Sequence, residues 1–333
     1  MMPAWHRLRN LTPNAKKADM ADYTVLIADK LAPEAAESLS AKGVNVLDRA
    51  GIEGADLIAA IAEADGLIVR SRTRVTAELF AAAPRLKAVA RAGVGVDSID
   101  LAAAEAHGVA VVNTPTSTSL AVAEHTLALM LSLLRSVPRA DAAMKAGGWP
   151  KKDLMGAELA GKTLGVIGVG NIGRLVAERA AAFGMRVIGF DPYLDAAALQ
   201  QRGTQAVSLD ELYAQAHVIT LHMPLTAETQ GMFGAEVMAK MRPGVYLVCA
   251  ARGGVIDEDA LLAALESGQV AGAALDVFAS EPPGASALVQ HPNVVATPHI
   301  GAQTEEAQTR AALDAAEELF NALSGQPLRW QVK

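Results

Sequence analysis

Cysteine, aromatic residues and long apolar runs are all scarce in this chain of 333 residues. The single cysteine, Cys249, excludes an intrachain disulfide and is typical of proteins in a reducing cytoplasm. No apolar run reaches membrane-spanning length, because Glu124 and His125 interrupt the most apolar segment. The net charge is −7 and basic residues form no large cluster, which argues against a nucleic-acid partner. We therefore expect a cytoplasmic protein with neither a membrane nor a nucleic-acid partner.

Apolar residues, by contrast, are plentiful, at 51% of the chain, and the length favours two domains. From Tyr23 onwards, short apolar runs of β-type residues alternate with alanine-rich segments of helical periodicity. This alternation predicts an α/β fold with doubly wound parallel sheets. Residues 1–22 are polar and lack the apolar region of a signal peptide, so we expect them to form an amino-terminal tail.

The most informative stretch is residues 163–174, which read TLGVIGVGNIGR. A strand-like run precedes Gly168, Gly170 and Gly173, and a helical pattern follows them. This arrangement is typical of a dinucleotide-binding turn, in which the pyrophosphate lies at the helix N-terminus. A second apolar run ends at Asp191, close to the spacing expected for the carboxylate that binds the adenine ribose. The alternative is an ordinary turn between a strand and a helix.

The residues around Asp191 favour NAD over NADP. A carboxylate accepts hydrogen bonds from two ribose hydroxyls but repels a 2′-phosphate. Pro192 and Tyr193 supply no cation, and the next arginine is Arg202. A second glycine pair, at Gly93 and Gly95, lacks the third glycine of the fingerprint. We interpret it as a loop on the substrate side with accessible backbone N–H groups.

The domain order is predicted to be discontinuous. The polar segment 113–119 interrupts the first αβ alternation and precedes a long apolar helix. A final amphipathic helix after residue 303 has no sheet of its own to join. We therefore expect residues 23–117 and 302–333 to form one domain, with residues 118–301 inserted as the dinucleotide-binding domain.

Three side chains follow strands beside glycine or proline, namely Arg252, Glu281 and His299. A histidine can exchange a proton near neutral pH, and a carboxylate can fix its tautomer. Each also has an ordinary alternative when it is considered singly. Arg252 could form a surface ion pair, Glu281 could be a loop carboxylate and His299 could be a turn residue. His222 is another candidate base, or a residue of the adenosine region, or a structural one. His125 is expected to be buried at a domain or subunit interface.

Several motifs together resemble the D-isomer-specific 2-hydroxyacid dehydrogenases. They begin at Arg70 (RSRT), Arg91 (RAGVGVD), Gly168 (GVGNIG), His222 (HMPLT), Ala251 (ARGG), Glu281 (EPP) and Pro298 (PHIG). The resemblance implies a flavodoxin-like substrate domain and an inserted Rossmann NAD-binding domain, in a typically dimeric protein. It implies Arg252, Glu281 and His299 as the catalytic set, and no metal.

The resemblance also implies two groups of binding residues. Those expected to contact NAD are Gly168, Gly170, Asn171, Ile172, Gly173, Asp191, His222, Met223, Pro224, Ala250, Ala251, Arg252, Asp276, His299 and Gly301. Those expected to contact substrate are Arg70, Ser71, Arg91, Gly93, Val94, Arg252 and His299. The long helix from Ser119 is a candidate for the subunit interface.

The arginines Arg70, Arg72, Arg74 and Arg91 are numerous for a small hydroxy acid and suit a phosphorylated one. Alternatively, Arg72 and Arg74 are solvated loop charges. The favoured reaction is oxidation of 3-phospho-D-glycerate to 3-phosphohydroxypyruvate, as in serine biosynthesis. The alternatives are a glyoxylate or hydroxypyruvate reductase and, in another class, an NAD-sensing corepressor. Because the chain ends at Lys333, we expect no regulatory domain that senses serine.

Overall fold

A computed structural model describes residues 23–332, so the tail predicted for residues 1–22 lies outside the described part of the chain. The first half contains alternating strands and helices. These are β1 (Thr24–Ile27), α1 (Glu34–Ala41), β2 (Asn45–Asp48), α2 (Gly54–Ile61), β3 (Gly66–Val69), α3 (Ala77–Ala81), β4 (Ala88–Arg91), α4 (Leu101–Ala106) and β5 (Ala110–Val112). The strands form a parallel sheet in the order β2-β1-β3-β4-β5. This is the flavodoxin-like order, whose direction of winding reverses between β1 and β3.

Two helices, α5 (Ser119–Leu134) and α6 (Val137–Lys145), lead into a second sheet. Its elements are β6 (Thr163–Ile167), α7 (Asn171–Ala182), β7 (Arg186–Phe190), α8 (Ala196–Gln201), β8 (Gln205–Ala206), α9 (Leu209–Gln215), β9 (Val218–Leu221), α10 (Ala235–Lys240), β10 (Val245–Cys249), α11 (Glu258–Glu266), β11 (Val270–Leu275), α12 (Ala287–Gln290) and β12 (Val294–Ala296). The order β12-β11-β10-β9-β6-β7-β8 is wholly parallel, and the winding reverses between β6 and β9. The predicted fold class, two doubly wound parallel sheets, is confirmed.

The last helix, α13 (Glu305–Ser324), lies against the first sheet rather than the second. It packs on α1 and on β3 and β4, which it reaches through a buried stripe that includes Ala311, Ala312, Ala315 and Ala316. Small side chains allow the helix to approach the sheet closely. The helix begins at Thr304, whose hydroxyl accepts a hydrogen bond from the N–H of Ala307, and it ends at Gly325, at a φ of 70°.

Helix α5 joins the two sheets. It packs against α7, β10 and β11, and ten of its sixteen residues are buried. Just before it, the Ser117 hydroxyl donates to Asp314 on α13 at 2.5 Å, and Nε of Arg310 donates to the Ser117 carbonyl at 3.0 Å. The start of α5 is thus tied to the first sheet's covering helix, while its body lies on the second sheet.

Within residues 23–332, no single helix is long and apolar enough to cross a membrane. The bent pair α5 and α6, which meet at 65°, meets the length and composition criteria only when taken together, and most of α5 is buried inside the protein.

Candidate functional site

The glycine-rich turn connects β6 to α7, and its three glycines have different surroundings. Gly168 adopts a φ of 85°, and a Cβ there would lie 2.9 Å from the carbonyl of His222. A Cβ on Gly173 would overlap the Gly168 carbonyl. Gly170, in contrast, has no protein atom within 4 Å of its would-be Cβ. Protein packing explains why glycine occurs at Gly168 and Gly173. The open space beside Gly170, at the N-terminus of α7, instead fits a pyrophosphate.

Asp191 follows β7 and lies beside the turn. Its carboxylate accepts hydrogen bonds from the N–H of Val169 at 2.9 Å and of Tyr193 at 3.0 Å. Arg202 is distant from Val169 in the sequence but lies beside it in the fold, where its Nη1 donates to the Val169 carbonyl at 2.6 Å. The sequence placed no cation near Asp191, but the fold brings one to the neighbouring peptide.

The C-terminal ends of β6 and of β9 to β12 place the other predicted NAD-binding residues along one edge of the second sheet. Asn171 and Ile172 form the first turn of α7, and Met223 and Pro224 continue from His222 after β9. Nε2 of His222 lies 3.0 Å from the Thr220 hydroxyl, while its buried Nδ1 has no partner. Burial lowers the pKa of His222 to about 4, so this ring is neutral at physiological pH and unsuited to the role of base.

His299 and Glu281 form a close pair at the same edge. Nδ1 of His299 lies 2.7 Å from Oε2 of Glu281, whose Oε1 accepts a hydrogen bond from the N–H of Phe278 at 3.1 Å. A carboxylate can only accept, so Nδ1 carries the hydrogen and Nε2 is left for proton exchange. Both side chains are partly exposed, at 51% and 38%, so a ligand can reach them.

The loop after β10 carries Arg252. Its Nε donates to Asp97 at 3.2 Å across the gap to the first sheet, and its Nη1 donates to the Ala251 carbonyl at 2.7 Å. The guanidinium lies directly over Gly95, where a Cβ would overlap it. The next residue, Gly253, abuts the Phe278 carbonyl so closely that no side chain fits. Glycine at these positions lets Arg252 bridge the two sheets.

Arg252 belongs to a cluster of three guanidinium groups with Arg91 and Arg70. Burial, reinforced by Arg252 and then Arg70, lowers the pKa of Arg91 to about 10, against the opposing influence of Asp97 and Asp29. Nε of Arg91 is buried without a partner. An incompletely neutralised, partly desolvated cluster of guanidinium groups has the charge and the donors that an anion requires.

Neighbouring backbone and side-chain contacts position this cluster. The Arg91 guanidinium lies over Gly93, and the Val94 carbonyl accepts a hydrogen bond from Nδ2 of Asn113 at 2.6 Å. Nη2 of Arg70 donates to Oε1 of Gln303 at 2.5 Å. Burial lowers the pKa of Arg70, with Asp29 opposing the shift.

A cavity of about 460 Å³ opens beside Arg70 at the ends of β1 and β3, where the winding of the first sheet reverses. Its lining residues are Asp29, Lys30, Ala50, Gly51, Arg70, Ser71 and Arg72. Asp29 organises this wall by accepting hydrogen bonds from the backbone of Arg70 and from the Thr73 hydroxyl, each at 2.6 Å. Arg72 forms ion pairs with Glu53 at 3.0 Å and with Asp29 at 3.5 Å, so its charge is largely satisfied by the protein itself.

Asp276, at the end of β11, is almost completely buried. It accepts hydrogen bonds from the Thr297 hydroxyl at 2.6 Å, the Ile300 N–H at 2.9 Å and the Gly301 N–H at 2.8 Å. Burial by itself raises the pKa of Asp276, but hydrogen bonds, including one from His125, outweigh it, and the net shift is downward. The carboxylate therefore stays ionised and holds the segment that carries His299.

Sequence reasoning did not single out Asp97, Asp29, Gln303 or Thr297. Only Asp97 carried a usable signal, because it closes the RAGVGVD motif. Among residues 23–332, no three His, Cys, Asp or Glu side chains are grouped so as to hold a metal ion. Burial raises the pKa of the Cys249 thiol to about 11, so it is protonated and unreactive.

Residues 127–301 match the family described as D-isomer specific 2-hydroxyacid dehydrogenase, NAD binding domain. This span is just over half of the chain. The protein belongs to the D-isomer specific 2-hydroxyacid dehydrogenase family. The match confirms the family resemblance and identifies the second sheet as an NAD-binding Rossmann domain, with NAD as the cofactor. The open space beside Gly170 and the carboxylate of Asp191 fit that cofactor.

Known proteins extend the similarity to most of the chain. D-3-phosphoglycerate dehydrogenase of Mycobacterium tuberculosis is 51% identical over 305 residues, which are 91% of this chain and 57% of that protein. The chain thus spans little more than half the length of the curated relatives it matches. A Thermus thermophilus protein of solved structure is 37% identical, with a TM-score of 0.84, over 93% of this chain and all of that one. A glyoxylate reductase from Paecilomyes thermophila is 33% identical, with a TM-score of 0.84, over 94% and 98% of the two chains.

Proposed function

We propose that this protein interconverts D-2-hydroxy acids and 2-keto acids with NAD, and that its preferred reaction is oxidation of 3-phospho-D-glycerate to 3-phosphohydroxypyruvate. One observation supports this most strongly. The paired His299 and Glu281 lie at the edge of the NAD-binding sheet, and Arg252 links that edge to a guanidinium cluster on the other sheet. An acid–base group, an anion site and a cofactor site are what the oxidation of a charged secondary alcohol requires.

In the proposed mechanism, the guanidinium of Arg252 binds the substrate carboxylate through two parallel hydrogen bonds. Nε2 of His299 takes the proton from the substrate hydroxyl, and Glu281 stabilises the imidazolium that results. Bound NAD would accept the hydride that leaves the carbon atom bearing this hydroxyl. In the reverse direction His299 returns the proton to the carbonyl oxygen. The turn formed by Gly168, Gly170 and Gly173 would hold the pyrophosphate, and Asp191 would bind the adenine ribose.

The phosphate preference is supported by Arg91, with its unpaired Nε, and by the cavity beside Arg70. Lys30 adds a further cation to the cavity wall. The Mycobacterium tuberculosis relative is named a D-3-phosphoglycerate dehydrogenase, which agrees with this choice. A second candidate, glyoxylate or hydroxypyruvate reduction, is supported by the solved structure named a glyoxylate reductase.

We further propose that the substrate lies between two domains, residues 23–117 with 302–333 and residues 118–301, and that the cleft closes over it. A homodimer is supported by α6 and the segment after it. Helix α6 has no buried residue, and Val137, Met144, Trp149 and Met155 are between 50% and 91% exposed. Exposed apolar side chains that lie near one another often mark protein–protein interfaces. This segment is a better interface candidate than α5, which is mostly buried within its own chain. A cytoplasmic location stays a prediction from the single cysteine.

The test is a panel of 2-keto acids with NADH, followed by the loss of absorbance of NADH. Phosphohydroxypyruvate should give a higher kcat/KM than hydroxypyruvate, glyoxylate or pyruvate. Equal values for phosphorylated and unphosphorylated acids would remove the phosphate preference. NADH binding without turnover of any acid would favour the corepressor alternative.

The role of His299 is tested in the same assay. We expect His299→Ala to lose at least about 100-fold in kcat, because general acid–base catalysis contributes about 10²–10⁴. NADH affinity, measured by fluorescence, should change little. Turnover at the rate of the unmodified protein would contradict the assignment.

A further inference from the structure

His125 is a partly buried histidine that the proposed reaction does not use. It lies on α5, whose other buried residues are apolar or small. Its Nε2 reaches out of the helix to the edge of the second sheet, 3.1 Å from the Thr297 hydroxyl and 3.3 Å from Oδ1 of Asp276. The side chain of His125 is 18% exposed and that of Asp276 is 1% exposed.

The hydrogens in this cluster can be assigned from its contacts. The Thr297 hydroxyl gives its only hydrogen to Asp276, at 2.6 Å, and is left as an acceptor towards His125. Asp276, being ionised, also only accepts. Nε2 of His125 therefore carries a hydrogen that both oxygens share. Among the described residues, His125 is the one side chain that donates to the Thr297 hydroxyl, whereas Asp276 also accepts from Thr297, Ile300 and Gly301.

This cluster determines the shape of the segment that carries His299. Asp276 binds Thr297 on one side of His299 and the N–H groups of Ile300 and Gly301 on the other. Between these attachments, His299 is held at a φ of 52°, a left-handed conformation that residues with a side chain seldom adopt. The backbone contacts around Asp276 therefore keep the imidazole where Glu281 can reach it.

We propose that His125 is a positioning residue, which holds Thr297 and Asp276 in place and thereby fixes the direction of the His299 ring. The inference rests on the proposed function, because it requires His299 to be the acid–base group. His125 itself does not exchange a proton with substrate, since its Nε2 is already committed to Thr297 and Asp276.

The test compares His125→Ala, which removes the donor, with His125→Gln, whose side-chain amide nitrogen can restore it. The rate to measure is hydride transfer in a single turnover, with NADH bound in advance and the best 2-keto acid of the panel added. We expect His125→Ala to lower this rate about 10- to 100-fold, because small misplacements of a reacting group cost rates of this order. His125→Gln should recover most of the rate, and NADH affinity should change less than about threefold in both.

His217 provides a matched control. It is also partly buried, and its Nδ1 accepts a hydrogen bond from the N–H of Thr163 at 3.1 Å, at the opposite end of the sheet. His217→Ala should lower Tm to a similar degree while leaving the hydride-transfer rate unchanged. A rate in His125→Ala equal to that of the unmodified protein, or an equal loss in both alanine variants, would overturn the proposal.

Two further variants keep the outcomes distinct. Thr297→Val preserves the shape of the side chain but removes the hydroxyl, and it should lower the rate as His125→Ala does. It decides the matter if His125→Ala does not fold. If His299→Ala keeps its turnover, the proposed function fails; if only the His125 and Thr297 variants keep theirs, the positioning role alone fails.

Discussion

Replacing Arg91 with methionine should stabilise the ligand-free protein while weakening the binding of phosphorylated substrate. The pKa of Arg91 is about 10, well below the ordinary value for an arginine, because the side chain is largely buried and lies beside Arg252 and Arg70. At about 1.4 kcal/mol per pKa unit, the charged form is disfavoured by roughly 3 kcal/mol in the folded protein. The unfolded chain lacks this penalty. Because the folded-state pKa of this base is lowered, the penalty is present in full at pH 7, begins to decline above about pH 10 and disappears only above the pKa of the unfolded chain.

Methionine fills a similar volume without charge, but it loses the attraction of the guanidinium to Asp97 and Asp29. We therefore expect a net gain of about 1–2 kcal/mol, which raises Tm by roughly 1–3 °C in a chain of 333 residues. Loss of one charged hydrogen-bonding partner should raise KM for phosphohydroxypyruvate by about 10- to 100-fold. KM for hydroxypyruvate should rise less, because that acid has no phosphate.

The assay is thermal unfolding with and without phosphohydroxypyruvate, alongside steady-state kinetics. Arg74→Met is the matched control, because Arg74 is exposed and its removal changes the net charge equally. Arg74→Met should change neither Tm nor KM appreciably. Destabilisation by Arg91→Met, together with unaltered stabilisation by the phosphorylated acid, would refute the argument that like charges are held together there for an anion.

Two other variants test the cofactor site and the interface. Asp191→Ser should raise the ratio of kcat/KM for NADPH to kcat/KM for NADH at least about tenfold, because the guanidinium of Arg202 is then the main charge beside Val169. Adding Arg202→Met to this variant should reverse the gain. An unchanged ratio in both variants would contradict the prediction. The double variant Trp149→Asp, Met155→Asp should be monomeric by light scattering if the protein is a dimer, because burying a charge in an apolar interface is costly. If the unmodified protein is already monomeric, the dimer is excluded.

The sequence was sufficient to predict the fold wherever short apolar runs alternate with helical segments, because strands that follow one another in the chain lie in the same sheet. The glycine spacing also predicted the turn, since Gly168 and Gly173 are demanded by local backbone contacts. Short helices such as α8 and α12 left little periodicity to detect. Their formation depends on packing against distant strands.

The sequence was less informative about contacts between segments far apart in the chain. Arg202 reaches Val169 because the residues after α8 pair with β7, a register that no local pattern specifies. Asp97 meets Arg252 across 155 positions. His125 was expected at an interface, yet its partners Thr297 and Asp276 could not be predicted, because they depend on how α5 lies across the sheet. The roles of Arg252, Glu281 and His299 stay predictions until the variants are measured.

In the proposed mechanism, the ion pair between Arg252 and Asp97 makes substrate binding an exchange reaction. Nε of Arg252 already donates to a carboxylate of the chain itself, that of Asp97, at 3.2 Å. An incoming substrate carboxylate must displace Asp97, so one charge pair is broken as another forms. We therefore expect neutral analogues, which cannot compensate for that displacement, to bind more weakly than carboxylates. Binding at this arginine should also depend weakly on salt, because the number of ion pairs stays the same.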